Sequence, residues 1–299
     1  MAVLIRTVHL KEIAQALRDP ARPLYIIAAG LLVFPNLFLQ WYRWHFLLRL
    51  INPAVTALES AGSLFGGMVA GFVTPGRIGE VSRTLFIEHE DRLQAFGMIM
   101  LDKIYAFCPV FIGGAWGIML LLGYLFRYAT FLVFPLIFIS VLVSFLFVYI
   151  ALHPSLIRTF LYNLSILLPI RDKVKRLIGC VDRFKTRQAR TLFFLSILLY
   201  GTYIFQFCLL AQAFQAIPWT TALTATTSTI LVKTLLPISL GDLGIREGAS
   251  MYFFMKFQVL KVTAFNSSLL LFVINVLFPT FIGLLFIPKM SWKNKEKSR

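Results

Sequence analysis

The sequence predicts an all-α polytopic membrane protein with two weakly related halves, each holding a re-entrant helix-break-helix hairpin, and about six to eight membrane helices in all. Composition is the first observation, because 59% of the 299 residues are hydrophobic, only 14% are charged, and the mean hydropathy is +0.80. An ordinary soluble domain carries about 25% charged residues. The other two observations are long apolar runs and a pair of charged breaks that follow short helices rich in small residues.

The chain begins with residues 1–23, where apolar residues are interspersed with four Arg or Lys and two acidic residues. This pattern predicts an amphipathic helix on the membrane surface and not a secretory signal peptide. A span takes roughly 20 apolar residues, and clear apolar runs follow at 24–48, 129–151, 191–213 and 259–288. The run 93–125 contains Pro109, so it is either one tilted, kinked span or a tight pair of helices.

Most of the formal charge of +16 lies outside the apolar runs, in residues 1–23, 152–190 and 289–299, which carry net charges of +2, +7 and +4. By the positive-inside rule we expect all three segments, and hence both termini, on the cytoplasmic side of the cytoplasmic membrane, with an even number of crossings between each pair. We expect residues 171–190 to contact anionic lipid head groups. We expect no nucleic acid partner, because no motif of a nucleic-acid-binding domain is present.

These boundaries predict five segments along the chain. They are an amphipathic surface segment (1–23), a first membrane half (24–151), a basic cytoplasmic connector (152–190), a second membrane half (191–288) and a basic tail (289–299).

The first hairpin is predicted around "GFVTPGRIGEVSR", residues 71–83. Two neighbouring stripes of small side chains precede the break at helical spacing: Gly62, Gly66 and Ala70, and beside them Ser63, Gly67 and Gly71. Such a face allows close backbone packing in lipid. The helix has at most about fifteen residues, too few to span. Because Pro75 and Gly76 end it and "EVSRTLFI" begins another, the predicted geometry is a re-entrant hairpin.

The same order of features recurs in residues 219–248. The two stripes there are Thr220, Thr224 and Ser228, and Thr221, Ala225 and Thr229; the break follows with Pro237, Gly241, Gly244, Arg246 and Glu247. A pair of interrupted hydrophobic segments in two halves is typical of transporters with internal, often inverted, repeats, whose breaks meet near the middle of the bilayer.

Charged side chains beside these breaks are the candidate site, because a charge at mid-membrane costs at least about 2.5–3.5 kcal/mol unless it is hydrated or paired. Arginine forks and open backbone amides suit a phosphate. The predicted head-group-binding residues are Arg77, Glu80, Arg83, Arg246 and Glu247 with Gly76, Gly79, Gly241 and Gly244; Asp102, Lys103 and Asp242 are secondary candidates. In the alternative interpretation, the pairs Arg77–Glu80 and Arg246–Glu247 only brace the hairpins.

No motif for a metal, a cofactor or a catalytic residue is present: the three cysteines form no CxxC, and HExxH, GxSxG and P-loop patterns are missing. His89 in "EHED" is expected in a loop, since a metal site would need ligands from elsewhere. One alternative to a transporter is a membrane-embedded lipid-phosphate transferase or hydrolase, in which two of the carboxylates near the breaks hold a divalent ion. Another is a non-catalytic partner of a lipid-modifying enzyme.

The stretches "TPGRIGEVSR" and "LPISLGDLGIREG" resemble the paired signatures of the lysylphosphatidylglycerol synthase transmembrane region family, also described as flippase-like integral membrane proteins. "WYRWHFLLR" (41–49) resembles the end of that family's first span, and the resemblance covers roughly residues 24–288. It implies two related halves with re-entrant hairpins and movement of a phospholipid or polyprenyl-phosphate lipid across the bilayer. The protein partners it allows are a second copy of the chain or an enzyme of lipid synthesis.

The sequence departs from the family pattern at two positions. The resemblance implies an acidic-Arg-x-x-Asp pattern after the first hairpin, whereas "DKIYA" keeps Asp102 and Lys103 but has Ala106 at the last position. In the final span, Phe272 stands where some members have Arg. No soluble synthase domain is visible in the sequence, so we do not expect aminoacyl transfer by this chain alone.

Overall fold

The computed structural model describes residues 17–87, 92–126, 130–156, 158–159, 163, 184–236 and 243–285. All regular structure within these ranges is helical, which confirms the all-α prediction. The helices long and apolar enough to cross a membrane there are five: Pro23–Ile51, Gln94–Leu125, Val133–Leu152, Thr186–Phe214 and Lys261–Leu285. The predicted total of six to eight membrane helices is therefore reached only if shorter helices between these spans are counted as well.

The helices are numbered in chain order. They are α1 (Pro23–Leu31), α2 (Val33–Ile51), α3 (Ala57–Phe72), a 3₁₀ helix (Ile78–Phe86), α4 (Arg92–Leu125), α5 (Thr130–Leu152), α6 (Thr186–Phe214), α7 (Trp219–Leu235), α8 (Ile245–Lys256), α9 (Lys261–Phe272) and a π-helical segment (Val273–Leu277). Helices α1 and α2 together form the first span.

Helix α4 resolves the ambiguity over the run 93–125. It is one continuous helix of 34 residues with Pro109 inside it, so the alternative of a tight helix pair is wrong. At 1.5 Å per residue it is about 50 Å long, which exceeds the hydrocarbon core of about 30 Å and favours a tilted span. Helix α5 runs antiparallel to α4. Two hydrogen bonds show this direction: Tyr105 donates to the carbonyl of Ala151 (2.9 Å), and Trp116 donates to Ser144 (3.0 Å).

At the position of the first predicted hairpin, the 3₁₀ helix folds back along α3. An added Cβ on Gly67 would lie 2.9 Å from Cβ of Arg83, and one on Gly71 would lie 2.7 Å from Cγ of Glu80. The predicted stripe of small residues is therefore the face on which the returning segment packs. The returning segment is 3₁₀ and not α-helical. With three residues per turn it aligns Glu80, Arg83 and Phe86 on the one side that faces α3.

The second hairpin is described only on either side of its break, because Pro237, Gly241 and Asp242 lie outside the described residues. Helix α7 packs its small residues against glycines of α4. A Cβ on Gly114 would lie 2.5 Å from Cβ of Leu231, which shows how closely the two backbones approach. Helix α8 then begins after Gly244, whose φ of 94° is a left-handed conformation that favours glycine.

Two apolar clusters lie at different levels along the long helices. The first includes Trp44, Leu64, Met98 and Leu192, so its residues come from α3 and from the beginnings of α4 and α6. The residues of the second come from the later parts of α4 and α6 and from helices α7 to α9. The two hairpins therefore belong to opposite ends of the helix bundle.

A chain of buried amides joins the first, fourth and fifth spans. Asn36 donates to Asn275 (3.1 Å), Asn275 donates to Gln206 (2.7 Å), and Gln206 donates to the carbonyl of Ala29 (2.7 Å). Asn275 lies in the π-helical segment. Such interhelical hydrogen bonds help to hold helices together in lipid, where the hydrophobic effect does not drive one helix against another.

Candidate functional site

A cluster of charged side chains forms where the first hairpin meets α2 and α4. Its first centre is Glu80, whose carboxylate contacts Arg77 at 2.7 Å, Arg83 at 3.0 Å and the Lys103 ammonium. The three-residue spacing of Arg77, Glu80 and Arg83 brings the hairpin's own charges together, and α4 contributes Lys103. Burial opposes ionisation of Glu80, but attraction to Arg77, Lys103 and Arg83 outweighs it and holds the pKa of this carboxyl below its usual value.

The second centre of the cluster is Asp102 on α4. Its carboxylate lies 2.7 Å from Arg43 of α2 and 3.5 Å from Arg83, so Arg83 bridges both carboxylates. Arg43 also donates to the Asp102 carbonyl at 2.9 Å. The Arg83 guanidinium lies over the Trp44 ring, 5.1 Å from its centroid, a favourable cation–π position.

Cations outnumber carboxylates among the described residues of this cluster. Four cations, Arg43, Arg77, Arg83 and Lys103, contact the two carboxylates of Glu80 and Asp102. The side chains of Arg43 and Arg83 are only 3% and 5% exposed, whereas those of Arg77 and Lys103 are 22% and 38% exposed. The accessible part of the cluster is therefore cationic, and the chemical complement of such a surface is an anion.

The turn that presents Arg77 has an unusual backbone. Gly76 and Arg77 are both left-handed, with φ of 59° and 57°. A residue with a Cβ pays about 1–2 kcal/mol for this conformation. The Arg77 amide donates to the carbonyl of Thr74 (3.2 Å), and the Gly79 amide donates to the Thr74 hydroxyl (2.7 Å). The Gly79 amide is thus used within the turn, and the Arg77 side chain reaches Glu80 from this left-handed position.

The second hairpin holds a closed and balanced pair. Arg246 and Glu247 lie 2.6 Å apart with side chains 1% and 0% exposed. Ser268 accepts from Arg246 (2.9 Å) and donates to Glu247 (3.1 Å), and the Gly244 amide donates to Glu247 (2.6 Å). Burial opposes the charged form of Glu247, yet Arg246 and the backbone hydrogen bonds lower the pKa of this carboxyl.

Phe272, the last residue of α9, links the ends of the two hairpins. Its ring lies 5.5 Å from the Arg246 guanidinium and 6.3 Å from the ring of Phe72, the last residue of α3. Phe272 is one of the two positions at which the sequence departs from the family pattern. In this chain an aromatic side chain therefore occupies the point where the second hairpin's arginine faces the first hairpin.

The predicted site residues fall into two groups. Arg77, Glu80, Arg83, Asp102 and Lys103 come together at the first hairpin; Arg246, Glu247 and Gly244 form the second network. Gly241, Asp242 and His89 lie outside the described residues. Arg43 is absent from the predicted set although it pairs with Asp102. The sequence does contain a signal for Arg43, because it lies inside a 29-residue apolar span. A charged residue within such a span is by default a functional candidate.

Two further features bear on other kinds of site. Within the described ranges, no group of three His, Cys, Asp or Glu side chains could hold a metal ion. A cavity of about 290 Å³ opens between the end of α5 and the beginning of α6, and its lining includes His153, Arg158 and Lys185. Its lining residues lie at the two ends of the basic connector, and it is distinct from the charged cluster.

A family model described as the lysylphosphatidylglycerol synthase TM region matches residues 1–283. No curated protein and no solved structure matches the chain significantly.

Proposed function

Because the chain belongs to the lysylphosphatidylglycerol synthase transmembrane region family, we propose that it is an integral membrane transporter that moves a phospholipid or another lipid with an anionic head group across the cytoplasmic membrane. The observation that carries this proposal is that Arg77 and Lys103, with side chains 22% and 38% exposed, are the most accessible charged groups among the described residues of the cluster at the first hairpin. A lipid phosphate would contact these two cations while the acyl chains stay in the bilayer. Arginine suits the task because its planar fork stays charged and pairs bidentately with phosphate.

Both hairpins are re-entrant in this proposal. Helix α3 has 16 residues, about 24 Å, and is shorter than the hydrocarbon core. Within the described ranges, three candidate spans precede the connector and two follow it, so re-entrant hairpins would enter from opposite faces of the membrane. Their association with opposite ends of the bundle, and the position of Phe272 of α9 between Phe72 and Arg246, support this arrangement. It is the geometry of an inverted repeat.

The residues of the two hairpins have different roles in this proposal. Arg77 and Lys103 contact the head group because they are the exposed cations of the cluster. Arg83 and Arg43 hold the two carboxylates in place. Arg246, closed off from solvent by its partners, braces the second hairpin and does not bind the lipid.

The cluster favours transport over lipid-phosphate transfer or hydrolysis. A general base or a metal-binding carboxylate needs free lone pairs directed at the substrate. Glu80 is instead contacted by three cations and Asp102 by two. Both carboxylates therefore serve to position cations.

The basic connector is proposed to rest on anionic lipid. The cavity beside it presents an imidazole, a guanidinium and an ammonium group from His153, Arg158 and Lys185. Each Lys or Arg near an anionic surface contributes about 1 kcal/mol. This contact would anchor the connector at the membrane and is separate from the transported lipid.

Reconstitution tests the proposal. Purified protein is placed in liposomes with fluorescent phosphatidylglycerol, phosphatidic acid or a polyprenyl phosphate, and movement between leaflets is followed by dithionite quenching against empty vesicles. We expect the wild-type chain and Lys261→Gln, an exposed lysine at the start of α9, to move at least one of these anionic lipids. Arg77→Gln should move it at least about tenfold more slowly. If no lipid moves with any variant, in the presence or absence of an ion gradient, the proposal is overturned.

A further inference from the structure

The boundary between the two apolar clusters crosses four long helices within the described ranges. In the first span, Leu32 packs against the second cluster, whereas Leu37 packs against the first. In α4 the order is reversed, because Cys108 belongs to the first cluster while Ile118 packs against the second. Each of these helices therefore passes from one packed core to the other.

Helix α6 and the last helix cross the same boundary. Phe193 of α6 belongs to the first cluster and Tyr200 packs against the second. In the last helix, Ile274 packs against the second cluster, but an added Cβ on Gly283 would lie 2.5 Å from the carbonyl oxygen of Phe65, which packs against the first. All helices and parts of helices that pack in the first cluster form the first lobe, and those that pack in the second cluster form the second lobe.

Three of these four helices have an irregular backbone at the boundary. The first span is interrupted at Leu32, which lies in neither α1 nor α2, and Pro35 shortly after it has no amide hydrogen to donate. In α4, Pro109 also lacks an amide hydrogen. The last helix contains the π-helical segment Val273–Leu277. Because prolines and π-helical turns are the usual causes of helix kinks, the boundary is where these three helices bend most easily.

The chain of buried amides connects the irregular segments to α6. Gln206 of α6 donates to the carbonyl of Ala29, just before the interruption of the first span, and accepts from Asn275 in the π-helical segment. Asn275 accepts in turn from Asn36 of α2. All three amide side chains are buried, so breaking the chain leaves polar groups without partners away from water, which is costly. The amides therefore hold the bends in one conformation.

We infer that the two lobes rotate against each other as nearly rigid bodies about a hinge layer formed by Leu32, Pro109 and Val273–Leu277, and that Asn36, Gln206 and Asn275 form a latch that closes this layer. Close-packed cores do not deform continuously, so motion is expected at the irregular backbone between them. Helix α6 crosses the layer as one continuous helix and supplies the centre of the latch. The rotation does not depend on the proposed movement of lipid.

Distances between spin labels test the hinge layer. The labels are attached to single cysteine pairs in a background in which Cys108 and Cys208 are changed to Ala and Cys180 to Ser. Pulsed electron paramagnetic resonance then measures the distances in lipid nanodiscs. The label sites are exposed residues, two in the first lobe (Leu58 and Leu146) and two in the second lobe (Leu223 and Tyr252).

Two independent variants release the latch. Gln206→Met removes the donor to the Ala29 carbonyl, and Asn275→Leu removes the links to Asn36 and Gln206. A rotation of about 15° over an arm of about 15 Å, half of the hydrocarbon core, moves a label by about 4 Å. We expect the distance from Leu58 to Tyr252, which spans the layer, to shift or broaden by about this amount in both variants. The pairs within each lobe should keep their wild-type distances.

Two further variants separate the hinge from a general loss of packing. Ser250 is buried and donates to the carbonyl of Ala264 within the second lobe (2.7 Å), so Ser250→Ala removes a buried hydrogen bond away from the layer and should change no distance. Pro109→Ala restores an amide hydrogen to α4 and should narrow the distances between the lobes in the Gln206→Met background. Unfolding midpoints show whether each variant is folded, and either latch variant suffices for the test.

Three results would overturn the inference. The first is an unchanged distance between the lobes in a folded latch variant. The second is an equal change within and between the lobes, which would show general loosening. The third is a change with Ser250→Ala as large as that with Gln206→Met. Broad distances that Pro109→Ala does not narrow would remove Pro109 from the hinge layer. Because no lipid movement is measured, failure here leaves the proposed function standing, and failure of lipid movement leaves the hinge standing.

Discussion

At the scale of single residues, two arginines that look alike in the sequence have different surroundings. Arg77 is partly exposed, strained and one of three cations around a single carboxylate. Arg246 is buried and pairs with one carboxylate, and it also donates a hydrogen bond to Ser268. Loss of Arg77 therefore leaves Glu80 paired, whereas loss of one partner of Arg246–Glu247 leaves a buried charge alone.

Arg77→Gly should separate binding from bracing. Glycine relieves the left-handed strain, worth about 1–2 kcal/mol, while Glu80 keeps Arg83 and Lys103 as partners. We expect the thermal unfolding midpoint of Arg77→Gly to match or exceed that of the wild type while lipid movement in liposomes is lost. Arg77→Lys keeps the charge without the bidentate fork and should be intermediate in transport. The contrary result is a lower unfolding midpoint for Arg77→Gly than for the wild type, with lipid movement recovering when liposomes restore the stability of the variant. This result would show that Arg77 braces the hairpin.

Glu247→Gln should have the opposite profile. It leaves Arg246 buried without a counter-charge, and breaking a buried pair in this way costs about 3–5 kcal/mol. The double variant Arg246→Met with Glu247→Gln removes the lone charge, so we expect it to be more stable than Glu247→Gln alone. Unfolding midpoints of the wild type, both single variants and the double variant, measured in one detergent, give the coupling. Additive losses would show that the pair does not brace the hairpin.

At the scale of elements, the first hairpin depends on the absence of side chains from one face of α3. The 3₁₀ helix packs so closely that Gly67 faces both the Arg83 side chain and the carbonyl of Glu80. This contact holds the charged face of the 3₁₀ helix against α2 and α4. The small-residue stripe therefore sets the position of the charged cluster.

Gly67→Ala tests this dependence with an internal control. The new Cβ would lie 2.9 Å from Cβ of Arg83 and 3.0 Å from the Glu80 carbonyl oxygen, which are not flexible chain ends. Overpacking of this kind costs about 1–3 kcal/mol, although alanine favours a helix by up to about 1 kcal/mol over glycine. Gly30→Ala in α1 has nothing within 4 Å of its Cβ. We expect a lower unfolding midpoint for Gly67→Ala and an unchanged or higher one for Gly30→Ala. Equal midpoints would mean that the fold-back is loose.

At the scale of the whole molecule, the charge distribution and the number of candidate spans predict different sides of the membrane for residues 1–23. In the part of the chain that the structure describes, two candidate spans separate the connector (152–190) from the basic tail (289–299), so both can lie in the cytoplasm as their charges predict. The same described residues contain three candidate spans between residues 1–23 and the connector, which places these two on opposite sides if the first hairpin is re-entrant. The N-terminal segment carries only +2 against +7 for the connector, so its charge is the weaker signal.

Cysteine labelling decides this arrangement. The buried Cys108 and Cys208 are first changed to Ala. In this background, native Cys180 reports on the connector. With Cys180→Ser added, Ala2→Cys and Ser298→Cys report separately on the two ends. We expect a membrane-impermeant maleimide to label Ala2→Cys in intact cells and to leave the other two unlabelled until the cells are opened. Protection of all three would instead support the charge-based topology, with a first hairpin that crosses the membrane.

Composition and local spacing were sufficient for much of the molecule. Long apolar runs predicted the spans because a helix is the simplest way to satisfy backbone hydrogen bonds in lipid. Small residues at every fourth position predicted the face of α3, and Pro75–Gly76 predicted its end. These features depend on neighbours within one or two turns. The same reasoning could not decide whether 93–125 was one helix or two, since a single proline permits both.

Only the tertiary structure decided how the charges are partnered. Arg43, Glu80 and Asp102 are far apart in sequence, and their contacts arise from the packing of α2, the first hairpin and α4. The sequence by itself determined that the chain is helical, lies in the membrane and carries charges at two breaks, because these properties depend on composition and short-range spacing. It could not determine that, among the described residues, four cations share two carboxylates at the first break while Arg246 and Glu247 pair with each other at the second, because that depends on which side chains the packed helices bring within 4 Å.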